Sequence, residues 1–439
     1  MAEYGELRHI LTTVFLSGFA EFLLRPVMTD VTVAAVCSGL NSTCSLAVYL
    51  TGIEQVTVGL GTMVMMPVIG NFADRYGIKA LLTVPMCLSI LPPAILGYRR
   101  DTNFFYAFYI TKILFDMAKN VHVRKRISTF GVLAGVRSIS AVCATFSTRF
   151  LPIASTFQVS AISFFAGLVY MRIFLKERLH DDDGDYDEYN GGGNHHHEVR
   201  DRGNLKMLGE PILRDAPTNT PVYSTTTYST LQDMVSLLKN STILVQTLVV
   251  TFFATFAQSG MQSAFLYFLK ARFGFNKNDF AELILLITII GSISQLFILP
   301  ILVSSIGERR VLSTGLLMET FNAACLSVSW SAWVPYATTV LVPVAMFVMP
   351  SVCGIASRQG KVQGYISGVK SFSGVVAPLI YSPLTALFLS ENAPFYFPGF
   401  SILCVALSLL IGFLMSLLIK DVPSTSMNKA SITIEKEEA

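Results

Sequence analysis

The sequence predicts an all-α integral membrane protein organised as two six-helix bundles, and three observations lead there. Apolar residues make up 52% of the 439, charged residues only 14%, and the mean hydropathy is +0.56. A soluble chain carries about a quarter charged residues. The apolar residues are gathered into runs of about 20, the length of helix that crosses a ~30 Å hydrocarbon core. These runs come as six, a long polar interruption, and six more.

In order, the spans fall at 9–30, 48–70, 80–98, 104–118, 128–148 and 156–175 in the first half. In the second they fall at 242–268, 280–303, 311–330, 332–353, 368–390 and 396–419. The first run is too long, and too charged internally, for a cleaved leader, so it reads as a retained span. The fourth is short, at about 15 residues or roughly 22 Å of helix. That length fits either a tilted span with local bilayer thinning or a chain lacking part of that helix. The interruption at 176–240 contains HDDDGDYDEYNGGGNHHHEVRDRGN and a Ser/Thr-rich tract, a composition that reads as a disordered cytoplasmic linker. The domains expected are thus 1–175, the linker 176–240, 241–420 and a tail 421–439.

Lys and Arg in the short loops set the orientation. With Met1 inside, Arg75, Lys79, Lys119, Arg124, Lys125, Arg126, Arg309, Arg310, Arg358 and Lys361 are cytoplasmic. Arg99, Arg100, Arg149, Lys270, Arg272 and Lys277 lie opposite. Both termini and the linker are therefore expected in the cytoplasm. The membrane is either the plasma membrane or an endomembrane or vacuolar one. A net charge of +3 with no basic face gives no reason to expect nucleic acid.

The halves resemble each other. Gly131–Ser138 reads GVLAGVRS and Gly364–Ser371 reads GYISGVKS, each opening the fifth span of its half. The turn ending DRYGIK has a counterpart in Ser304–Arg310, SSIGERR, with Gly307 in the place of Gly77. A duplicated unit with a site between its copies is a transporter architecture.

Charged side chains inside spans are costly and mark function by default. Glu21 and Arg25 lie one turn apart in the first span, beside Pro26 and followed by Asp30. They are either a neutralised structural pair or linked to substrate or protons. Glu54 sits in the second span with Gln55. Glu319, mid-way along the ninth with Asn322 on the same face, is the leading candidate for proton coupling. Lys112 and Asp116 form an i, i+4 pair on the fourth span and read as structural. Arg137 and Lys370 are repeat-related cations, either snorkelling span ends or parts of a cytoplasmic gate. Gln258, Gln262 and Gln295 suit either a polar cavity or interhelical hydrogen bonds.

Cys37 and Cys44 flank a short loop compatible with a disulfide if it faces outward, while the other five cysteines lie in or beside apolar runs. His195–His197 lack the spacing of a preformed metal site, and no nucleophile–base pattern or phosphate loop is present. Neither a metal, a cofactor nor an enzyme activity is expected.

The most informative stretch is Gly70–Lys79, GNFADRYGIK. Its glycines permit a tight turn between packed helices, Asp74 suits a neighbouring helix N-terminus, and Arg75 and Lys79 supply opposing charges. The stretch resembles the loop 2–3 signature of the major facilitator superfamily, G-x-x-x-D-R-x-G-R/K. With FGVLAG, NVHVRKRIS and STRFLP around the fifth span, the chain resembles the plant hippocampus-abundant-transcript-like branch, related to bacterial tetracycline/proton antiporters. That resemblance implies a monomeric, major-facilitator-type bundle pair of about twelve spans and a central site for a small organic solute. It further implies proton-driven alternating access, and a latch of Gly70, Asp74, Arg75, Gly77 and Lys79 across the cytoplasmic ends. Ser304 and Pro300 replace the acid and the first glycine in the second half, so no symmetric latch is implied. Members of the branch have a longer fourth span. The short one here motivates an alternative, a transport-inactive receptor, regulator or partner subunit.

Overall fold

The computed structural model describes residues 2–37, 45–122, 130–174, 242–357, 362–391 and 393–419; the side chains of 2–7, 64–82, 118–122, 130–134, 356–357 and 362–363 lie outside that description. The chain divides into a compact unit, Met1–Glu177 with Ser241–Ala439, and a second unit, Arg178–Asn240. The second unit, with its His195–His197, lies outside the described residues. In the first unit all regular structure among the described residues is helical.

The first half contains α1 (Ala2–Val36), α2 (Ser45–Tyr98), α3 (Thr102–His122), α4 (Phe130–Phe150) and α5 (Ile153–Phe174). Helical backbone runs unbroken over the 54 residues of α2, which as one straight rod would extend about 81 Å. It is not one rod. Leu50, Leu96, Phe105 and Phe108 pack into the same core cluster with Val27, Val31 and Phe157. Early in α2, Tyr109 Oη donates to the Leu50 carbonyl and Gly61 abuts Met117, so this arm runs parallel to α3. Late in α2, Gly97 abuts Gln158 and Met86 reaches Gly167, so this arm runs antiparallel to α5. The two arms are therefore antiparallel helices that abut between Gly61 and Met86. The turn expected at Gly70–Lys79 falls within this stretch, made without an intervening non-helical residue; the side chains of Asp74, Arg75 and Lys79 are outside the described ones.

Helix α3 has 21 residues, about 32 Å, so the helix continues through Ala118–His122 past the fourth span's apolar run, which is itself short.

The second half contains α6 (Thr242–Phe273), α7 (Lys277–Ile293), a π-helical turn (Ser294–Ile298) and α8 (Leu299–Ile306), then α9 (Glu308–Ser327). An Asn276 capping box with Asp279 starts α7. Gly307 alone separates α8 from α9 and has φ +83°, a left-handed conformation open to glycine at little cost. The tenth span, expected as one helix over 332–353, is three short ones: α10 (Val334–Thr338), α11 (Val342–Ala345) and α12 (Val348–Ser357). Pro335 and Pro343 stand at the first turns of α10 and α11. Each lacks an N–H and ends any helix arriving from before it. Helices α13 (Val362–Leu389) and α14 (Phe400–Leu417) complete the half.

Six helical stretches among the described residues are long and apolar enough to cross a membrane by length and composition: Arg8–Val36, Ile153–Phe174, Thr242–Phe273, Lys277–Ile306, Gly364–Leu389 and Phe400–Leu417. The protein is a multi-pass membrane protein. Its packing repeats. Helix α1 packs on α4 and α5 as α6 packs on α13 and α14, and the second arm of α2 packs on α5 as α9 packs on α14. Between the halves, the first arm of α2 packs on α13 as α7 packs on α4. These matched pairs are what a duplicated six-helix unit requires. Contact along α2 and α13 is close: a Cβ at Gly52 would collide with the Ser382 side chain.

Candidate functional site

Two groups of charges lie at mid-span in the first half. Glu21 of α1 accepts from Arg137 Nη2 of α4 at 3.1 and 3.3 Å, while Arg25, one turn along α1, lies 3.6 Å from the same carboxylate. Both guanidiniums stand over the Phe22 ring, at 4.4 and 5.5 Å from its centre, in cation–π geometry. Although they lie among packed helices, 53% of the Arg25 side chain and 42% of Arg137 are open.

The second group joins α2 to α3. Lys112 bonds Glu54 of α2 and, at 2.9 Å, Asp116 one turn along its own helix. Lys112, which the sequence pairs with Asp116 alone, is therefore shared between two carboxylates. The sequence placed these residues on their helices correctly but left their cross-helix partners open. Arg137, read as a span end or gate, is tied to Glu21. Its repeat mate Lys370 is exposed and its ammonium makes no ion pair among the described residues.

A third set crosses between the halves, all of it near the end where α1 and α6 finish and α2 begins. Lys270 of α6 bonds Asp30 of α1. Thr51 Oγ1 and Tyr267 Oη are 2.6 Å apart, and Ser263 Oγ donates to Gln55 Oε1 at 2.6 Å. Ser45 donates to the Ala386 carbonyl at 3.2 Å, and Lys277 to the Leu151 carbonyl at 2.6 Å. Of these, the sequence singled out Asp30, and Gln55 beside Glu54; placing Asp30 and Lys270 at the same face was the available signal for their pairing. At this end the two halves are closed on each other.

Glu319 of α9 has no ion pair or hydrogen bond among the described residues, and the Oδ1 of Asn322, one turn on, is buried without a partner. The structure does not bring either to the first-half groups by any described contact. Gln258 and Gln262, one turn apart on α6, are exposed on the same face; Gln295 lies in the π-helical turn. Cys37 is disulfide-bonded while Cys87, Cys143, Cys325, Cys353 and Cys404 are free thiols; Cys44 is outside the described residues.

Solved structures share this arrangement. The human organic anion transporter MFSD10 (TETRAN) superposes with a TM-score of 0.60 at 14% identity, covering 95% of this chain and 100% of that one. A D-xylose-proton symporter superposes with a TM-score of 0.65 at 10% identity, covering 95% and 98%. The fold is the major-facilitator fold. In sequence, the chain is 25% identical over 208 residues to human (Homo sapiens) Hippocampus abundant transcript-like protein 1, which is 43% of this chain and 41% of that protein. The match to the Bos taurus protein of that name covers 31% of its length, so the chain spans well under half of these relatives. Multidrug resistance protein 2 of Bacillus subtilis (strain 168) is 21% identical over 417 residues, 89% of this chain and 91% of that protein. No family model matches. The superposed structures are transporters that share this fold.

Proposed function

We propose that the chain is a secondary active transporter that moves a small organic solute by alternating access, coupled to protons. The observation that carries this is the pairing of two like-packed halves, tied by polar contacts at one end, with charged side chains held inside the spans. Such contacts hold one of two positions of the halves, and releasing them while others form at the opposite end is how the cavity changes sides. The similar proteins, a D-xylose-proton symporter and a multidrug resistance protein among them, support proton coupling and a solute that is a small organic molecule.

Within this reading, residues 1–175 and 241–420 are the moving bundles and 176–240 a cytoplasmic connector. The closed end faces away from the cytoplasm of a plasma membrane or endomembrane, the protein acts as a monomer, and Gly70–Lys79 forms the cytoplasmic latch. Membership of the plant tetracycline-efflux-like branch belongs to the same proposal. Glu319 carries the proton. The alternative, a transport-inactive receptor, regulator or partner subunit, rests on the short apolar run of the fourth span, although its helix α3 is 21 residues long. Purified chain in proteoliposomes tests the proposal: an imposed pH gradient is expected to drive accumulation of a solute from a broad screen above its equilibrium level. No gradient-dependent flux for any solute, with the protein folded and uniformly reconstituted, refutes it.

A further inference from the structure

A groove of about 320 Å³ lies between α9 and the broken tenth span, walled by Phe321 and Val328 of α9, Trp330 and Trp333 beyond its end, and Ala337 and Leu341. Its cause is local. Between α10 and α11 the backbone coils by hydrogen bonds to the third residue back, Val340 N–H to the Ala337 carbonyl at 3.3 Å and Leu341 N–H to that of Thr338 at 3.0 Å. Such a coil is tighter than an α-helix and leaves space beside α9. Thr338, the hydroxyl residue of the wall, directs its proton to the Pro335 carbonyl at 3.0 Å, so the groove offers hydrocarbon and aromatic rings to an occupant. It belongs to the bilayer-facing surface. Helix α9 lies along the membrane-spanning α14, from Ser313 beside Ser416 at 2.9 Å to Ser327, whose carbonyl abuts Gly399, so both cross the same depth. On α9, Leu312, Leu316 and Ala323 are buried while Leu317, Phe321 and Val328 are exposed, and the exposed stripe meets lipid tails as apolar as itself. Trp330 and Trp333, edge to face with ring centres 6.0 Å apart, stand at the end of the span, where indoles favour the boundary between hydrocarbon and headgroups. Phe321 lies about 9 Å deeper along α9.

We propose that this groove holds one acyl chain of a bilayer phospholipid, its tail along Phe321 and Leu341 and its headgroup beyond the tryptophan pair. At about 30 Å³ for a water-sized group such as a methylene, the 320 Å³ takes about ten carbons of chain. An apolar wall, a side open to the bilayer and indoles at headgroup level suit a chain with its polar group at one end. A recess without an occupant leaves its wall short of partner atoms and forfeits dispersion energy. A chain is therefore held here more firmly than on the convex surface around it, whichever solute the protein carries.

Trp330 and Trp333 are the two tryptophans of the protein, so its indole fluorescence reports on this groove. Full-length protein in detergent is titrated with phosphatidylcholine brominated on one acyl chain, because bromine quenches an indole that it touches. Quenching is expected to saturate while the bromolipid is still a minor fraction of the micelle, and unbrominated phosphatidylcholine should reverse it. Ala337→Phe and Cys325→Phe fill the groove from opposite walls, and each should raise the half-quenching lipid fraction about tenfold, equivalent to about 1.4 kcal/mol. Val245→Phe, at an exposed position near the other end of α6, should leave that fraction unchanged. Melting temperatures equal to the parent's show which variants are folded. Quenching that rises in proportion to the bromolipid without saturating, or that neither filling variant alters, marks unselective contact with surrounding lipid and overturns the proposal. Displacement by cholesterol but not by unbrominated phosphatidylcholine overturns it in favour of a sterol. Absence of quenching overturns it as well, and in a protein that migrates as a dimer it assigns the groove to a second copy of the chain.

Discussion

The pair between Asp30 and Lys270 ties the first half to the second, so neutralising either side chain should loosen the closed end. The two are only 16% and 21% exposed, so solvent screens them less than a surface pair. A hydrogen bond to a charged group contributes about 1.5–3 kcal/mol. If the tie exists only in the state described here, Asp30→Asn or Lys270→Met should move the balance towards the opened state by about ten- to a hundredfold, at about 1.4 kcal/mol per tenfold. Spin labels at Leu46 and Tyr396, exposed positions contributed by the first and second halves, read that balance as a distribution of distances. The longer distance should gain population in both single variants. Exchanging the charges, Asp30→Lys with Lys270→Asp, should recover part of the shorter one. Unchanged distributions in both single variants refute the reasoning, and so does a shift that the exchange makes worse.

Other substitutions test other parts of the structure. Lys112→Gln leaves Glu54 and Asp116 without their cation and is expected to cost about 3–5 kcal/mol, seen as a lower melting temperature in detergent. Neutralising all three, with Glu54→Gln and Asp116→Asn added, should recover most of that loss; a single variant as stable as the parent contradicts the shared-lysine geometry. Gly307→Ala keeps open space around the new Cβ and strains only the backbone, so a loss of about 1–2 kcal/mol is expected, and no loss would show that the turn relaxes. Glu319→Gln should abolish solute accumulation driven by a pH gradient while preserving exchange at equal pH. Undiminished accumulation removes Glu319 from proton coupling.

Much of this fold was legible because its signals are local. Runs of about 20 apolar residues marked the spans, and the repeated GVLAGVRS and GYISGVKS marked the duplication that the packing of α4 and α13 displays. Helical spacing put Glu21 with Arg25 and Lys112 with Asp116. What escaped is non-local. Glu54 and Lys112 are 58 positions apart, Glu21 and Arg137 116, Asp30 and Lys270 240, and no periodicity relates such pairs. Hydropathy alone predicts one helix for the tenth span because it is blind to the missing N–H of Pro335 and Pro343, which start new helices there. In the fourth span the helix continues past a short apolar run, an extension that hydropathy does not mark.

The motion of the halves is tested most directly by tying them together where they already meet. In a variant lacking the five free thiols, Ser45→Cys and Ala386→Cys bring cysteines to positions linked by a 3.2 Å hydrogen bond, which a short, reducible dithiol linker can bridge. Alternating access requires that bridging stops solute flux in proteoliposomes and that reduction restores it. Flux that continues at full rate through the bridged protein contradicts the account.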